Sequence, residues 1–165
     1  MTTAPKITEA PSDLAASHEI AAGAAQFLSP VVRDLEALVV NGKHLHWHVR
    51  GVGFQQIHEL LDGVVAHAQE YADTAAERII ALGLPVDSRI GTVAEKSSLP
   101  EIADGFQPWE QTVAAVVGQI DAALVTVREA IKGLDDIDLS SQDIAIAIEQ
   151  GLTKDRWLLQ AHLAS

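Results

Sequence analysis

Apolar residues recur every three to four positions in four long stretches of this chain, a pattern that predicts four amphipathic helices. The predicted helices span residues 30–50, 54–82, 108–132 and 140–163. A serine followed by Pro30 is typical of a helix start, and Gly83 closes the second helix. The last helix is predicted to open at Ser140 or Ser141, because Ser140 and Asp143 have the spacing of a capping box.

The connection between the second and third helices, residues 84–107, is long for a helical bundle, and we predict a short helix within it at 92–97. No stretch alternates apolar and polar residues strongly enough to predict a strand. Four antiparallel helices with one long crossover are typical of a ferritin-like bundle, so we predict an all-α fold of that kind. We assign the bundle to residues 30–165 and expect residues 1–29 to be a tail that is partly helical or disordered.

The amino-acid composition excludes several kinds of functional site and partner. The chain has 165 residues, enough for one domain, and no cysteine, which excludes disulfides and thiolate metal sites. Any metal site must therefore use histidine and carboxylate ligands. The net charge of −12 argues against unaided binding to nucleic acid or anionic lipid. The N-terminus lacks a signal-peptide pattern and no apolar run is long enough to span a membrane, so we expect a soluble cytoplasmic protein.

The second predicted helix carries two separated pairs of possible metal ligands. His58 and Asp62 are four residues apart, as are Asp73 and Glu77, and all four lie within a stripe roughly 100° wide on one helix face. The axial rise from His58 to Glu77 is about 28 Å at ~1.5 Å per residue, so the two pairs cannot share one ion within a chain. An antiparallel copy of the helix from a second subunit would join them into two identical sites. Taken alone, the first pair is also typical of a solvated surface pair, and the second is a like-charge pair that is mildly unfavourable without a cation.

Other histidines admit two interpretations each. His46 lies in the apolar stripe of the first helix, which predicts a buried imidazole that is either a core histidine or a metal ligand. His44 and His48 form a pair at helical spacing, interpreted as an exposed surface pair or as a second, weak metal site. His67 falls near the proposed two-fold axis, where it either has a structural role or meets its own mate.

The segment from residue 46 to residue 78 resembles the ferroxidase signature of the Dps family, the mini-ferritins also called DNA-binding proteins from starved cells. The matching residues are His46-Trp47-His48-Val49-Arg50-Gly51, Phe54, His58-Glu59-Leu60-Leu61-Asp62, Asp73 and Ala76-Glu77-Arg78. The resemblance extends to the four-helix layout and to Trp157 in the last helix. One departure is His48, where the family motif often has asparagine.

This resemblance implies an iron site with ligands from two subunits. One subunit supplies His46, His58 and Asp62, and its two-fold mate supplies Asp73 and Glu77. It further implies a hollow homododecamer in which Fe(II) is oxidised, preferentially by hydrogen peroxide, and stored as ferric mineral, which protects DNA from oxidative damage.

Three further roles rest on the same resemblance. Trp47 is similar to the family tryptophan beside the iron site, and packing at a subunit interface is the alternative interpretation. Asp138 and Asp143 are predicted to line pores that admit iron, with weaker candidates at Asp135 and Asp136. The alternative for these acids is helix capping and favourable charge near a helix start.

Two other functions are weighed against ferroxidase activity. The first is compaction of DNA, with iron storage as a secondary role. It is disfavoured because residues 1–29 contain one basic residue, Lys6, and the sequence shows no basic C-terminal extension. We therefore expect direct DNA binding to be absent. The second is metal-assisted hydrolysis of an amide or ester, which His and carboxylate ligands permit but for which no acyl substrate is specified.

Overall fold

Four long helices and one short helix make up the part of the chain that the structure, a computed structural model, describes: residues 17–163. The helices are α1 (His18–His48), α2 (Phe54–Ala81), α3 (Ile90–Lys96), α4 (Trp109–Leu134) and α5 (Leu139–Ala161). Each long helix packs beside two others, in the ring order α1, α2, α5, α4. The predicted all-α bundle is confirmed, as is the short helix in the long connection.

The apolar residues that recur every three to four positions in the second predicted helix form a buried stripe in the structure. Its members are all buried: Ile57, Leu61, Val64, Ala68, Ala72, Ala75 and Ile79. They meet fully buried leucines and isoleucines of the other three long helices, such as Leu35, Ile120 and Leu152. Apolar burial of this kind is the main stabilising contribution to a bundle. It also fixes which face of α2 turns away from the core, and that face carries the predicted ligands.

The predicted start of the first helix is wrong. The helix begins at His18, with Ser17 as its N-cap accepting a hydrogen bond from the Ile20 N–H at 3.3 Å, and Pro30 lies inside it. A proline within a helix removes one backbone hydrogen bond, but a stripe of buried residues upstream, including Ala24 and Leu28, continues the apolar face without a break. Tertiary packing therefore carries α1 through a residue that normally starts or ends a helix.

The long connection is tied to the bundle at two places. Strands β1 (Val49–Arg50) and β2 (Gln107–Pro108) pair in parallel, and they were not predicted because two residues cannot show alternation. Asp34 of α1 is buried and accepts hydrogen bonds from Ser98 and Thr126, and from one further serine of the connection. These bonds satisfy a carboxylate that would otherwise be costly to bury.

The start of the last helix also differs from the prediction. Asp138, not a serine, is the N-cap of α5, and its carboxylate accepts a hydrogen bond from the Ser141 N–H at 3.2 Å. The Ser141 side chain is buried and donates its hydroxyl to the same carboxylate, so the predicted capping box from Ser140 to Asp143 does not form. A charged acceptor satisfies the free N–H groups of a helix start well, which explains why Asp138 takes the cap.

Candidate metal centre

Two predicted ligands meet where α1 ends and α2 begins. The rings of His46 and His58 stack with centroids 3.7 Å apart, and His46 is only 5% exposed. Each ring also forms a hydrogen bond with the backbone of the other histidine. His46 Nδ1 is 2.7 Å from the His58 carbonyl oxygen, and His58 Nδ1 is 3.0 Å from the His46 carbonyl oxygen. A carbonyl oxygen can only accept, so each Nδ1 carries the proton. Each Nε2 then keeps its lone pair, the state in which an imidazole binds a metal ion.

Asp62 lies one helical turn after His58. Its Oδ1 atom is 2.6 Å from Lys43 Nζ and 3.4 Å from His46 Nδ1, and its side chain is 54% exposed. The hydrogen bond from Lys43 holds the pKa of Asp62 below its usual value, against an opposing effect of burial. The Asp62 carboxylate is therefore anionic at neutral pH. Sequence reasoning missed Lys43, although its position three residues before His46 places both side chains near the same face of α1.

The other predicted pair lies toward the far end of α2. Asp73 and Glu77 are exposed, and neither has an ion-pair partner among residues 17–163 of one chain. Asp73 is about 16 Å along the axis from Asp62, at ~1.5 Å for each of the intervening steps. Within the described residues, no three His, Asp or Glu side chains are arranged to hold a metal ion. One chain thus presents two separate groups of predicted ligands, at opposite ends of one helix face.

Exposed aromatic residues flank the two histidines. Trp47 follows His46 directly and is 60% exposed, and the Phe54 ring is 5.0 Å from the His58 ring while also remaining exposed. Neither ring is covered by the core of its own chain. Both interpretations of Trp47, a place beside the iron and packing at a subunit interface, fit this position.

The remaining predicted acids lie near the start of α5. Asp138 is largely enclosed, and its Oδ2 atom accepts a hydrogen bond from Arg78 at 2.7 Å. Burial opposes its ionisation, but hydrogen bonds from Ser141 and Arg78 outweigh that effect and hold the pKa of Asp138 below its usual value. Asp143 is exposed on the first turns of the helix. One of the two predicted pore residues is therefore already engaged within the chain, and the other faces solvent.

Three other histidines that the sequence singled out, His44, His48 and His67, make contacts within their own chain. His44 and His48 stack with centroids 4.1 Å apart and are partly buried, so the predicted exposure of this pair is wrong. The His48 ring folds back onto its helix, where Nδ1 lies 2.7 Å from the His44 carbonyl. His67 bonds through Nδ1 to both carboxylate oxygens of Asp155, at 3.0 and 3.1 Å. This hydrogen-bonded contact is what the structural interpretation of His67 predicts, and its acceptor is a buried carboxylate that the sequence analysis did not identify.

None of the helices within residues 17–163 combines the length and the apolar character that crossing a membrane requires.

Comparison with known proteins relates the whole bundle to one family. The model of the ferritin-like domain matches residues 26–165. A curated relative, the DNA protection during starvation protein of Mycolicibacterium smegmatis, is 32% identical over 153 residues, which cover 90% of this chain and 81% of that protein.

Solved structures agree with this relation. The structure of Dps from Microbacterium arborescens in the high iron form superposes with a TM-score of 0.89 at 62% identity, covering 92% of this chain and 99% of that one. A tetragonal form of Mycobacterium smegmatis Dps gives a TM-score of 0.87 at 29% identity, covering 98% of this chain and 96% of that one.

Proposed function

Because the chain belongs to the Dps family of ferritin-like proteins, we propose that it oxidises Fe(II) at a site shared by two subunits. The observation that carries this proposal is the placement of two incomplete ligand sets at opposite ends of one face of α2. One set holds His46 and His58, whose Nε2 atoms carry the lone pairs, together with Asp62, whose Oδ1 atom lies 3.4 Å from His46 Nδ1. The other holds the exposed carboxylates of Asp73 and Glu77.

A two-fold axis between α2 helices from two subunits joins these sets into two complete sites. The antiparallel arrangement brings Asp73 and Glu77 of one subunit to the histidine end of the other. Because the half-sites are centred about 15 residues apart, the two iron sites of a dimer are expected roughly 22 Å apart at ~1.5 Å per residue. Exposed Trp47 and Phe54 are then covered at the interface, beside the iron.

The ligand chemistry favours oxidation of the bound ion. Two imidazoles and three carboxylates suit iron, and hard anionic oxygen donors stabilise Fe(III) relative to Fe(II). Iron is the substrate here, with hydrogen peroxide as the oxidant. For each peroxide, two ferrous ions at the same shared site give up one electron each, two protons are taken up, and the O–O bond breaks to give two water molecules, so no hydroxyl radical is released. The carbonyl hydrogen bonds of His46 and His58 hold both rings in the ligating tautomer throughout.

We assign the storage of ferric product to a closed shell of twelve subunits, with Asp138 and Asp143 as predicted pore residues. Protection of DNA follows from removal of iron and peroxide, not from direct contact. The relative in Mycolicibacterium smegmatis is named for DNA protection during starvation. In this chain the net charge of −12 opposes association with a polyanion.

The experiment that tests this function is peroxide-driven oxidation of Fe(II) under anaerobic conditions, followed by stopped-flow absorbance. Asp62→Asn and Glu77→Gln each remove one charged ligand with little change of shape, and we expect each to slow oxidation by about tenfold or more. Glu70→Gln is the matched control, since Glu70 is an exposed carboxylate on α2 outside the ligand stripe. Size-exclusion chromatography must show that all variants assemble alike. Equal rates in all four proteins would place the oxidation elsewhere.

A further inference from the structure

An ion pair next to a predicted iron ligand joins the far end of α2 to the start of α5. Arg78 directly follows Glu77, and its guanidinium donates to Asp138 Oδ2 at 2.7 Å and to Ser141 Oγ at 3.1 Å. Arg78 and Asp138 are partly enclosed, and Ser141 is buried. A planar guanidinium that bonds two groups in this way fixes direction as well as distance.

One oxygen atom of Asp138 accepts three hydrogen bonds. Its Oδ2 accepts from Arg78, from the Ser141 N–H and from the Ser141 hydroxyl. The N-cap of α5 and the ion pair with α2 therefore depend on the same carboxylate. Hydrogen bonds from Ser141 and Arg78 outweigh the effect of burial and keep the pKa of Asp138 below its usual value, so the pair is charged at neutral pH.

The Glu77 side chain has no comparable support of its own. It is exposed and has no ion-pair partner within the described residues of its chain. Its position is set by the backbone of the last turns of α2, which Ala75 and Ile79 hold against the core from one side. Arg78 holds the same turns from a second side, toward α5. Restraints on two different faces oppose rotation of the helix end about its own axis.

Such rotation would matter at the iron site. A carboxylate about 6 Å from the helix axis moves about 1 Å when the helix end rotates by about 10°, and a displacement of that size is enough to weaken a positioned ligand substantially. We propose that Arg78 and Asp138 are positioning residues for the Glu77 half-site, and that their ion pair sets how Glu77 is presented to the second subunit. This inference rests on the proposed shared site.

A pore role for Asp138 makes a different prediction from a positioning role. Loss of a pore carboxylate slows the arrival of iron but leaves equilibrium binding at the site unchanged. Loss of a positioning residue weakens equilibrium binding whatever the path that iron takes. Binding measured to equilibrium therefore separates the two.

The test uses the assembled protein with Fe(II) alone under anaerobic conditions, followed by titration calorimetry, and Co(II) as a spectroscopic probe. Asp138→Asn keeps a good N-cap residue but removes the charge that pairs with Arg78. We expect Fe(II) affinity to fall by about threefold to tenfold and the Co(II) ligand-field spectrum to change. Asp121→Asn is the matched control, because it neutralises another interhelical ion pair, with Arg156, away from α2. It should leave affinity and spectrum unchanged.

Glu77→Gln is measured in the same experiment to separate two kinds of failure. If Glu77→Gln weakens binding but Asp138→Asn does not, the positioning role is refuted while the shared site stands. If Asp138→Asn lowers only the melting temperature, or only the rate of oxidation, the positioning role is likewise refuted, in favour of a stability or a pore role. If Glu77→Gln has no effect on binding, the shared site itself fails.

Discussion

Removal of the His67 imidazole should destabilise the bundle by leaving a buried carboxylate without its partner. Asp155 of α5 is 2% exposed, and among the described residues its hydrogen-bond partner is His67 of α2. The charge of Asp155 also contributes, after burial, to raising the pKa of neighbouring Tyr71. We therefore choose His67→Ala as the perturbation, because it leaves the negative charge in place and removes the group that offsets it.

The magnitude follows from the geometry of the pair. Leaving a buried hydrogen-bond acceptor without its partner costs about 1–3 kcal/mol, and more when the acceptor is charged. The side chain of His67 is 48% exposed, so water can replace part of the imidazole, and the expected cost stays at about 1–3 kcal/mol. For a chain of this length, that free energy lowers the melting temperature by about 3–10 °C. The double variant His67→Ala with Asp155→Asn should lose less, because it no longer contains an unpaired charge.

The assay is thermal unfolding of the assembled protein at matched subunit concentration, since assembly itself raises the apparent melting temperature. The order of stability should be wild type, then the double variant, then His67→Ala. The reasoning is refuted if His67→Ala melts within about 1 °C of the wild type, or if the double variant is the least stable of the three.

Three further predictions concern the iron site, acid stability and DNA. Lys43→Met should strengthen anaerobic Fe(II) binding in calorimetry, because the ion no longer competes with an ammonium for Asp62, whereas weaker binding would show that Lys43 helps to hold the ligand. The lowered pKa of Asp138 adds stability that is complete above the ordinary aspartate pKa. The melting deficit of Asp138→Asn should therefore be full at pH 7, begin to shrink below about pH 4, and vanish only once the pH falls below the lowered pKa of the folded protein. The native shell should not retard duplex DNA in a gel at physiological salt, yet it should prevent DNA nicking by iron and peroxide. Strong, salt-sensitive retardation would reveal a basic surface.

The sequence predicts well those features that depend on local periodicity. The core stripe of α2 and the outward face with Asp62 and Glu77 both follow from the turn of about 100° per residue, and the first is buried and the second exposed in the structure. The start of α1 is wrong because Pro30 is a strong local signal, whereas the buried stripe that overrides it is a tertiary effect. The same holds at α5, where Asp138 replaces the predicted serine cap.

Side-chain contacts between helices could not be predicted from the sequence. Lys43 beside Asp62, and His67 beside Asp155, join residues that are far apart in the chain, and no spacing rule reports which side chains meet across two helices. The pairing of half-sites across two subunits was predicted from the sequence, but it concerns a second chain. It stays a prediction until a mixed assembly is measured.

The most direct measurement of the shared site is complementation between two inactive subunits. His58→Ala and Glu77→Ala each damage both sites of a pure dimer. In a mixed dimer, one site carries both substitutions and the other carries neither, so it is intact. Subunits reassembled at equal amounts pair at random, half of the dimers are mixed, and about a quarter of all sites should regain wild-type oxidation of Fe(II). Activity of the mixture no higher than the average of the two pure variants would contradict a site shared between subunits.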